Sequence, residues 1–268
     1  LPESEVKGLG ELSLILNNID LYMLVFARMA GIILFNPLLS RNSIPAALRT
    51  AIAFGVTILI TPMVPIPAGY DSGAIDFLLY FGKEIFIGFL LGYVFNVFYY
   101  MLITAGDILD MNFGFAMAKI FDPATNIQSA FTANILNLLF ILYFFATNSH
   151  LVLIELAVSS YDLFSVGAGG LSLLSAAEFA VDIFGAVFGL ALRLAIPFIA
   201  VEFILEISMG ILMKLIPQIH VFVIEFQFKI LLAILLLYVL ANPISVFIDN
   251  YILIMFDYMH DALQAASG

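Results

Sequence analysis

Residues 106–126 read GDILDMNFGFAMAKIFDPATN, and what this stretch can physically be decides the architecture around it. It stands between two long apolar segments and so reads as a loop, yet it carries Ile108, Leu109, Met111, Phe113, Phe115, Met117, Ile120 and Phe121. A loop that apolar does not belong in water. Asp107, Asp110, Gly114, Lys119, Asp122 and Pro123 interrupt it too often for a lipid-facing span, because irregular backbone at membrane depth survives only inside protein or along a cavity. The stretch therefore predicts a hydrophobic constriction or plug inside a membrane pore.

Composition supports a membrane setting. Of 268 residues, 63% are hydrophobic and 11% charged, with a mean hydropathy of +1.13; soluble domains are about 45–50% apolar. The apolar mass comes in blocks of at least about 20 residues, the length a helix needs to cross the hydrocarbon core and too long for barrel strands. We place six blocks at about 14–39, 46–66, 77–104, 130–160, 178–215 and 220–257. The fold class is thus all-α: a polytopic membrane protein of about six long helices in hairpins, with a buried apolar loop between the third and fourth. With no cysteine, disulfides and thiolate metal sites are excluded. His150, His220 and His260 are too dispersed to suggest a metal cluster, and no cofactor is expected. LPESEVKGLGE at residues 1–11 is acidic, unlike the basic lead of a signal peptide, and a start at Leu1 reads as trimmed.

The net charge of −11 is unevenly spread. Arg41, Arg49, Lys119 and Lys214 fall in the odd connectors, while both ends and the even connectors are acidic. The positive-inside rule then places the odd connectors in the cytoplasm and both termini outside.

Charges inside the blocks need partners. Arg28 is costly in lipid and should face protein, by default in an interhelical ion pair or a clamp of backbone carbonyls. Lys83 and Glu84 are adjacent, point about 100° apart and so address different partners. Gly88 with Gly92, and Gly185 with Gly189, have the spacing that lets helix backbones approach closely. Asn134, Asn137 and Asn148 read as interhelical hydrogen-bonding groups.

The last two blocks are too long. Roughly 38 residues each, they would measure about 57 Å, nearly twice a hydrocarbon core. Either Pro197 and Pro243 kink or divide them, or they project from the bilayer and are covered by neighbouring subunits. MKLIPQIH at 213–220, with Lys214, Pro217 and Gln218, is a short cytoplasmic turn joining them as an antiparallel hairpin. Glu202 and Glu206 share a face, as do Glu225 and Lys229. Two like charges in an apolar helix are costly unless neutralised or paired, with Arg193 or a partner's basic group as candidates. An ion path is the functional reading of that pair; contact with another subunit or a hydrated lumen is the structural one.

The order of these features resembles the FliR/SctT family of type III export proteins. The resemblance rests on R-x-x-G from Arg28 to Gly31, Pro37, Pro45 and Arg49, GKEIFIGFLLGYVFN from Gly82 to Asn96, Ala105 to Asn126, and IPQIHVFVIEFQFKI from Ile216 to Ile230. Family members often carry a Gly-Phe-Pro-like run where this chain has Glu225, Phe226 and Gln227. The resemblance implies one export-gate domain over 1–268, with a plug-like loop at 105–126 and a C-terminal hairpin at 178–257. It further implies a multi-pass protein of the bacterial inner membrane at the flagellar basal body, assembled with FliP-like and FliQ-like subunits and touching an FlhB-like protein. It implies lipid and unfolded export substrates, but not nucleic acid, as other contacts. The matching plug positions are Met111, Asn112, Phe113, Gly114, Phe115, Met117, Ile120, Phe121, Asp122 and Pro123, with Phe113, Phe115, Met117 and Phe121 as the apolar seal and Gly114 as a tight bend.

Two other classes compete with a secretion-channel subunit. A secondary transporter would use Arg28, Glu202, Glu206 and the proline-broken helices. An intramembrane enzyme would need Asp107 and Asp110 to hold a divalent cation, but the chain has no HExxH or GxSxG motif. We read the two aspartates as loop or helix-capping residues and the protein as non-enzymatic.

Overall fold

The computed structural model describes residues 19–41, 44–64, 73–115, 130–166, 170–216 and 221–267. Among them every regular element is helical: α1 Ile19–Phe35, α2 Ala46–Ile60 with a single 3₁₀ turn Thr61–Met63, α3 Ala74–Asn112, α4 Phe131–Ala146, α5 Ser149–Leu163, α6 Leu173–Leu215, α7 Val221–Val239 and α8 Ala241–Ser267. The all-helical prediction holds. Three segments are long and apolar enough to cross a bilayer alone, 46–63, 74–112 and 173–215; the bent pairs α4 with α5, and α7 with α8, pass the same test when each is taken as one span.

The helix count departs from the sequence expectation at two places. The fourth block is two helices meeting at 68°, hinged at Asn148, whose φ of 58° lies in the left-handed region. Asparagine is one of the few side chains that occupies this region readily. The last block is also two helices, bent by 62° at Leu240, and Pro243 sits in the first turn of α8, where a missing N–H is tolerated. Pro197, by contrast, lies inside an unbroken α6 of 43 residues, about 64 Å long. A third departure concerns the opening stretch. Residues 106–112 are the last turns of α3, not loop.

The residues cluster into two compact units. The first takes 1–96, 150–181 and 255–268, the second 97–149 and 182–254. In the first, α1 lies directly on α3. A Cβ on Gly88 would sit 2.2 Å from the Arg28 carbonyl oxygen and 3.0 Å from Gly31 Cα, and one on Gly92 would sit 2.6 Å from Phe35 Cβ. Only glycine permits this approach, and it buries Leu24, Val25, Ile87 and Leu91 at the crossing. The turn after α1 closes when Asn36 Oδ1 accepts from the Leu38 N–H at 2.9 Å. Arg49 then braces the next turn by donating to the Ile44 carbonyl at 3.1 and 3.2 Å.

In the second unit, Tyr251 donates to the Phe98 carbonyl at 2.8 Å and packs on the Phe98 ring at 4.9 Å. Tyr99 donates to Asn137 Oδ1 at 2.9 Å, so Asn137 does join two helices. Here α6 and α7 form an antiparallel hairpin, in which Lys229 Nζ meets Glu206 Oε1 at 2.5 Å across 23 positions of chain.

Candidate functional site

The foot of the 106–126 stretch is built from α3 and α4. Gly106 lets the helices touch, since a Cβ there would lie 2.3 Å from Ala133 Cα. One turn on, the buried Asp110 carboxylate accepts from the Thr132 N–H at 2.9 and 3.2 Å. Thr132 stands in the first turn of α4, whose own N-cap, Ala130, offers no side-chain acceptor. Asp110 thus caps α4 from another helix, satisfying an otherwise orphaned donor. Asp110→Ala is expected to cost about 0.5–2 kcal/mol, read as a lower melting temperature in detergent.

Beyond the cap the chain turns aromatic. Phe113 is fully buried, edge-on to Phe115 and Phe198 at 5.9 Å each, and Phe115 meets Phe131 at 5.3 Å. Gly114 has a φ of 79°, a backbone state that favours glycine, and a Cβ there would press on the Phe226 ring at 3.2 Å. Asn112 donates to the Ile108 carbonyl of its own helix at 2.7 Å, and Met111 is 72% exposed. Met117, Ile120, Phe121, Asp122 and Pro123 lie outside the described residues. The proximity of Phe131, Phe198 and Phe226 to this foot was not read from the sequence; phenylalanine is too common here, at 27 residues, for single ones to stand out.

The charges fall into two groups. In the first unit, Arg28 and Glu84 are both fully buried and form an ion pair, Nε to Oε2, at 2.5 Å. The guanidinium also donates to Ser160 Oγ and the Phe164 carbonyl, each at 2.9 Å, and its Cζ lies 3.7 Å from the Tyr161 ring centroid. Each of the three guanidinium nitrogens thus has a hydrogen-bond acceptor, and one planar face lies against a ring. Lys83, half-buried, has its ammonium 5.8 Å from the Phe164 ring centroid. Ser160, Tyr161 and Phe164 escaped sequence reasoning, because a hydroxyl, a ring and a carbonyl become ligands of Arg28 only through tertiary placement.

In the second unit, Lys229 binds Glu206 at 2.5 Å and Glu225 at 3.6 Å. Glu202 is buried, and neither of its carboxylate oxygens has a hydrogen-bond partner among the described residues. Three expectations need correction. Glu206 is exposed, not buried, because α7 covers only one side of it. Arg193 is exposed too, and it pairs with neither glutamate; nine residues from Glu202, it points to the opposite side of α6. Gly185 and Gly189 meet nothing within 4 Å, so no helix of the described chain uses them for packing. Lys214 is exposed at the end of α6, and Pro217 and Gln218 lie outside the described residues. Among the described residues no three acidic, histidine or cysteine side chains gather as metal ligands.

This geometry belongs to a chain with well-defined relatives. Residues 19–254 match the family model described as bacterial export proteins, family 1. The chain is 29% identical over 249 residues to flagellar biosynthetic protein FliR of Escherichia coli K12, covering 92% of this chain and 94% of that one. It is 26% identical over 244 residues to flagellar biosynthetic protein FliR of Bacillus subtilis 168, with 90% and 94% covered. Yop proteins translocation protein T of Yersinia pestis is 26% identical over 238 residues, with 88% and 91% covered. With the family model spanning all but the ends, and relatives of both the flagellar and the translocation kind aligned over nearly their full lengths, this polytopic helical protein belongs to the bacterial export proteins, family 1, the FliR/SctT family.

Proposed function

We propose that the chain is a non-enzymatic subunit of a type III protein export gate in the bacterial inner membrane, where it helps to form and plug the channel for unfolded export substrates. The observation that carries this reading is the foot of the 106–126 stretch. A 39-residue apolar helix leads into Phe113 and Phe115, which join Phe131 of α4 and Phe198 of α6 in one aromatic cluster, and the Asp110 cap holds its base. A seal needs such a combination, an apolar surface that excludes hydrated ions on an anchor that does not drift.

FliP-like and FliQ-like subunits are the partners in this reading, with an FlhB-like protein on the cytoplasmic side. The length of α6 supports them. About 64 Å of helix with Phe203, Ile204, Ile207 and Ile211 exposed is more apolar surface than a bilayer about 30 Å thick covers. The flagellar system is the first reading, by analogy with the FliR proteins; the Yersinia relative favours a virulence-type translocation system as the second.

Deleting Phe115 to Met117 tests the plug while leaving the packed Phe113 in place. Cells carrying the deletion are expected to leak small ions while the subunit still co-purifies with its partners. Unchanged leakage in a fully assembled complex would sink the plug assignment. Saturable solute uptake by the purified chain alone in liposomes would instead favour a transporter.

A further inference from the structure

We propose that the exposed face of α6 around Arg193 is the docking face for a transmembrane helix of another subunit, and that this helix brings an aspartate or glutamate whose carboxylate pairs with Arg193. The inference rests on the export-gate reading and specifies the chemistry of one of its interfaces.

Residues 183–201 of α6 contain a single charge, Arg193, and no other side chain capable of hydrogen bonding. This run lies within the 173–215 segment that is long and apolar enough to span a bilayer. Arg193 is exposed and makes no ion pair or hydrogen bond among the described residues. It lies roughly 14 Å along the axis from Glu202 and 16 Å from Asp182, too far for one side chain to snorkel to either end of the run. A bare guanidinium facing hydrocarbon at that depth is strongly disfavoured. A phosphate headgroup lies at the bilayer surface, so the anion that meets Arg193 is a carboxylate carried into the membrane by protein.

The surrounding face shows what carries it. Gly189 lies one turn before Arg193 and Gly185 one turn further. A Cβ at either would meet nothing within 4 Å, so a second backbone can come close beside the guanidinium. On the other side the same face continues through Ile196 and Phe203, 58% and 60% exposed. Apart from Arg193, residues 183–201 offer water no polar side chain, which argues against a hydrated lumen here. Backbone entering this apolar setting satisfies its own hydrogen bonds as a helix. Arginine, with its planar fork, is suited to hold one carboxylate in fixed geometry.

The test uses the complete complex purified from membranes, with a photo-crosslinking side chain at position 196. The crosslink is expected to map to a transmembrane segment of a different subunit that contains Asp or Glu. Arg193→Leu and Arg193→Glu should lower the yield of assembled complex at least tenfold, and Arg193→Lys should keep most of it. Changing the mapped carboxylate to arginine should restore assembly of Arg193→Glu but not of Arg193→Leu. The melting temperature of each variant subunit, purified alone, controls for folding and should be unchanged. Crosslinks to lipid only, to an exported chain, or to a segment without a carboxylate would overturn the proposal. So would an Arg193→Leu complex formed in wild-type yield. If the unaltered chain co-purifies with no other membrane subunit, the export-gate reading itself fails; if it assembles normally but tolerates Arg193→Leu, only the docking face fails.

Discussion

Arg28→Leu is expected to destabilise the protein by about 3–5 kcal/mol, the cost typical of breaking a buried ion pair by removing one partner. The loss is large because of what stays behind. Glu84, fully buried, would lose the guanidinium that holds it and be left either as an uncompensated charge or protonated at a cost, and the Phe164 carbonyl and Ser160 hydroxyl would each lose a donor. Glu84→Leu should cost less, since the guanidinium retains those two acceptors and the Tyr161 ring. The double variant Arg28→Leu/Glu84→Leu should recover a substantial part of the loss, because no buried charge is left unpaired. Thermal unfolding in detergent of the four proteins decides the matter. Strict additivity of the two single effects would mean that the pair is not coupled.

Gly88→Ala should cost about 1–3 kcal/mol by overpacking, with Gly88→Val worse, although alanine is the better helix former by about 1 kcal/mol. The contacted atoms explain the sign. The new methyl would lie 2.2 Å from the Arg28 carbonyl oxygen, and a backbone atom cannot rotate away. Relief requires α1 to separate from α3, which pulls Arg28 off Glu84 as well. Gly82→Ala, on the same helix with nothing within 4 Å of its Cβ, should instead gain up to about 1 kcal/mol. Because Gly88 and Arg28 share one crossing, Gly88→Ala should cost less when the ion pair has already been replaced by leucines.

These residues also mark how far the sequence could be read. Apolar blocks announce membrane helices because hydrophobicity is a local property, and the all-α membrane fold was legible from them. The division at Asn148 was not. Thr147, Asn148, Ser149 and His150 interrupt the apolar run, but a short polar cluster does not by itself tell a sharp bend from a continuous span that carries interhelical hydrogen-bonding groups. The extension of α3 to Asn112 was misread because Gly106, Asp107 and Asp110 look like loop residues. In the structure, Gly106 marks a helix contact, and Asp110 caps a helix that begins 21 residues later. The two glycine pairs are indistinguishable in sequence, yet Gly88 and Gly92 touch α1 while Gly185 and Gly189 face outward. Likewise, that Arg28 and Arg193 are both charges in apolar helices was plain. That one is enclosed and the other exposed is decided by residues far away in the chain. Of the proposed seal, the aromatic foot is visible from Met111 to Phe115, and the remaining positions lie beyond it.

The Arg28 cluster also bears on how the protein is made. Its members are strung along the chain, with Glu84 following Arg28 by 56 positions, Ser160 by 132 and Phe164 by 136. Synthesis runs from the amino end, so α1 reaches the membrane with its arginine while every ligand for that arginine is still unmade. An arginine at the centre of a lone helix costs about 2.5–3.5 kcal/mol on insertion scales. On its own, α1 is thus a poor passenger into lipid, and its settled position depends on α3 arriving with Glu84 and on α5 closing the shell. The nascent chain therefore has a built-in order of assembly, in which α1, made well ahead of its ligands, is among the last of the described helices to be fully satisfied.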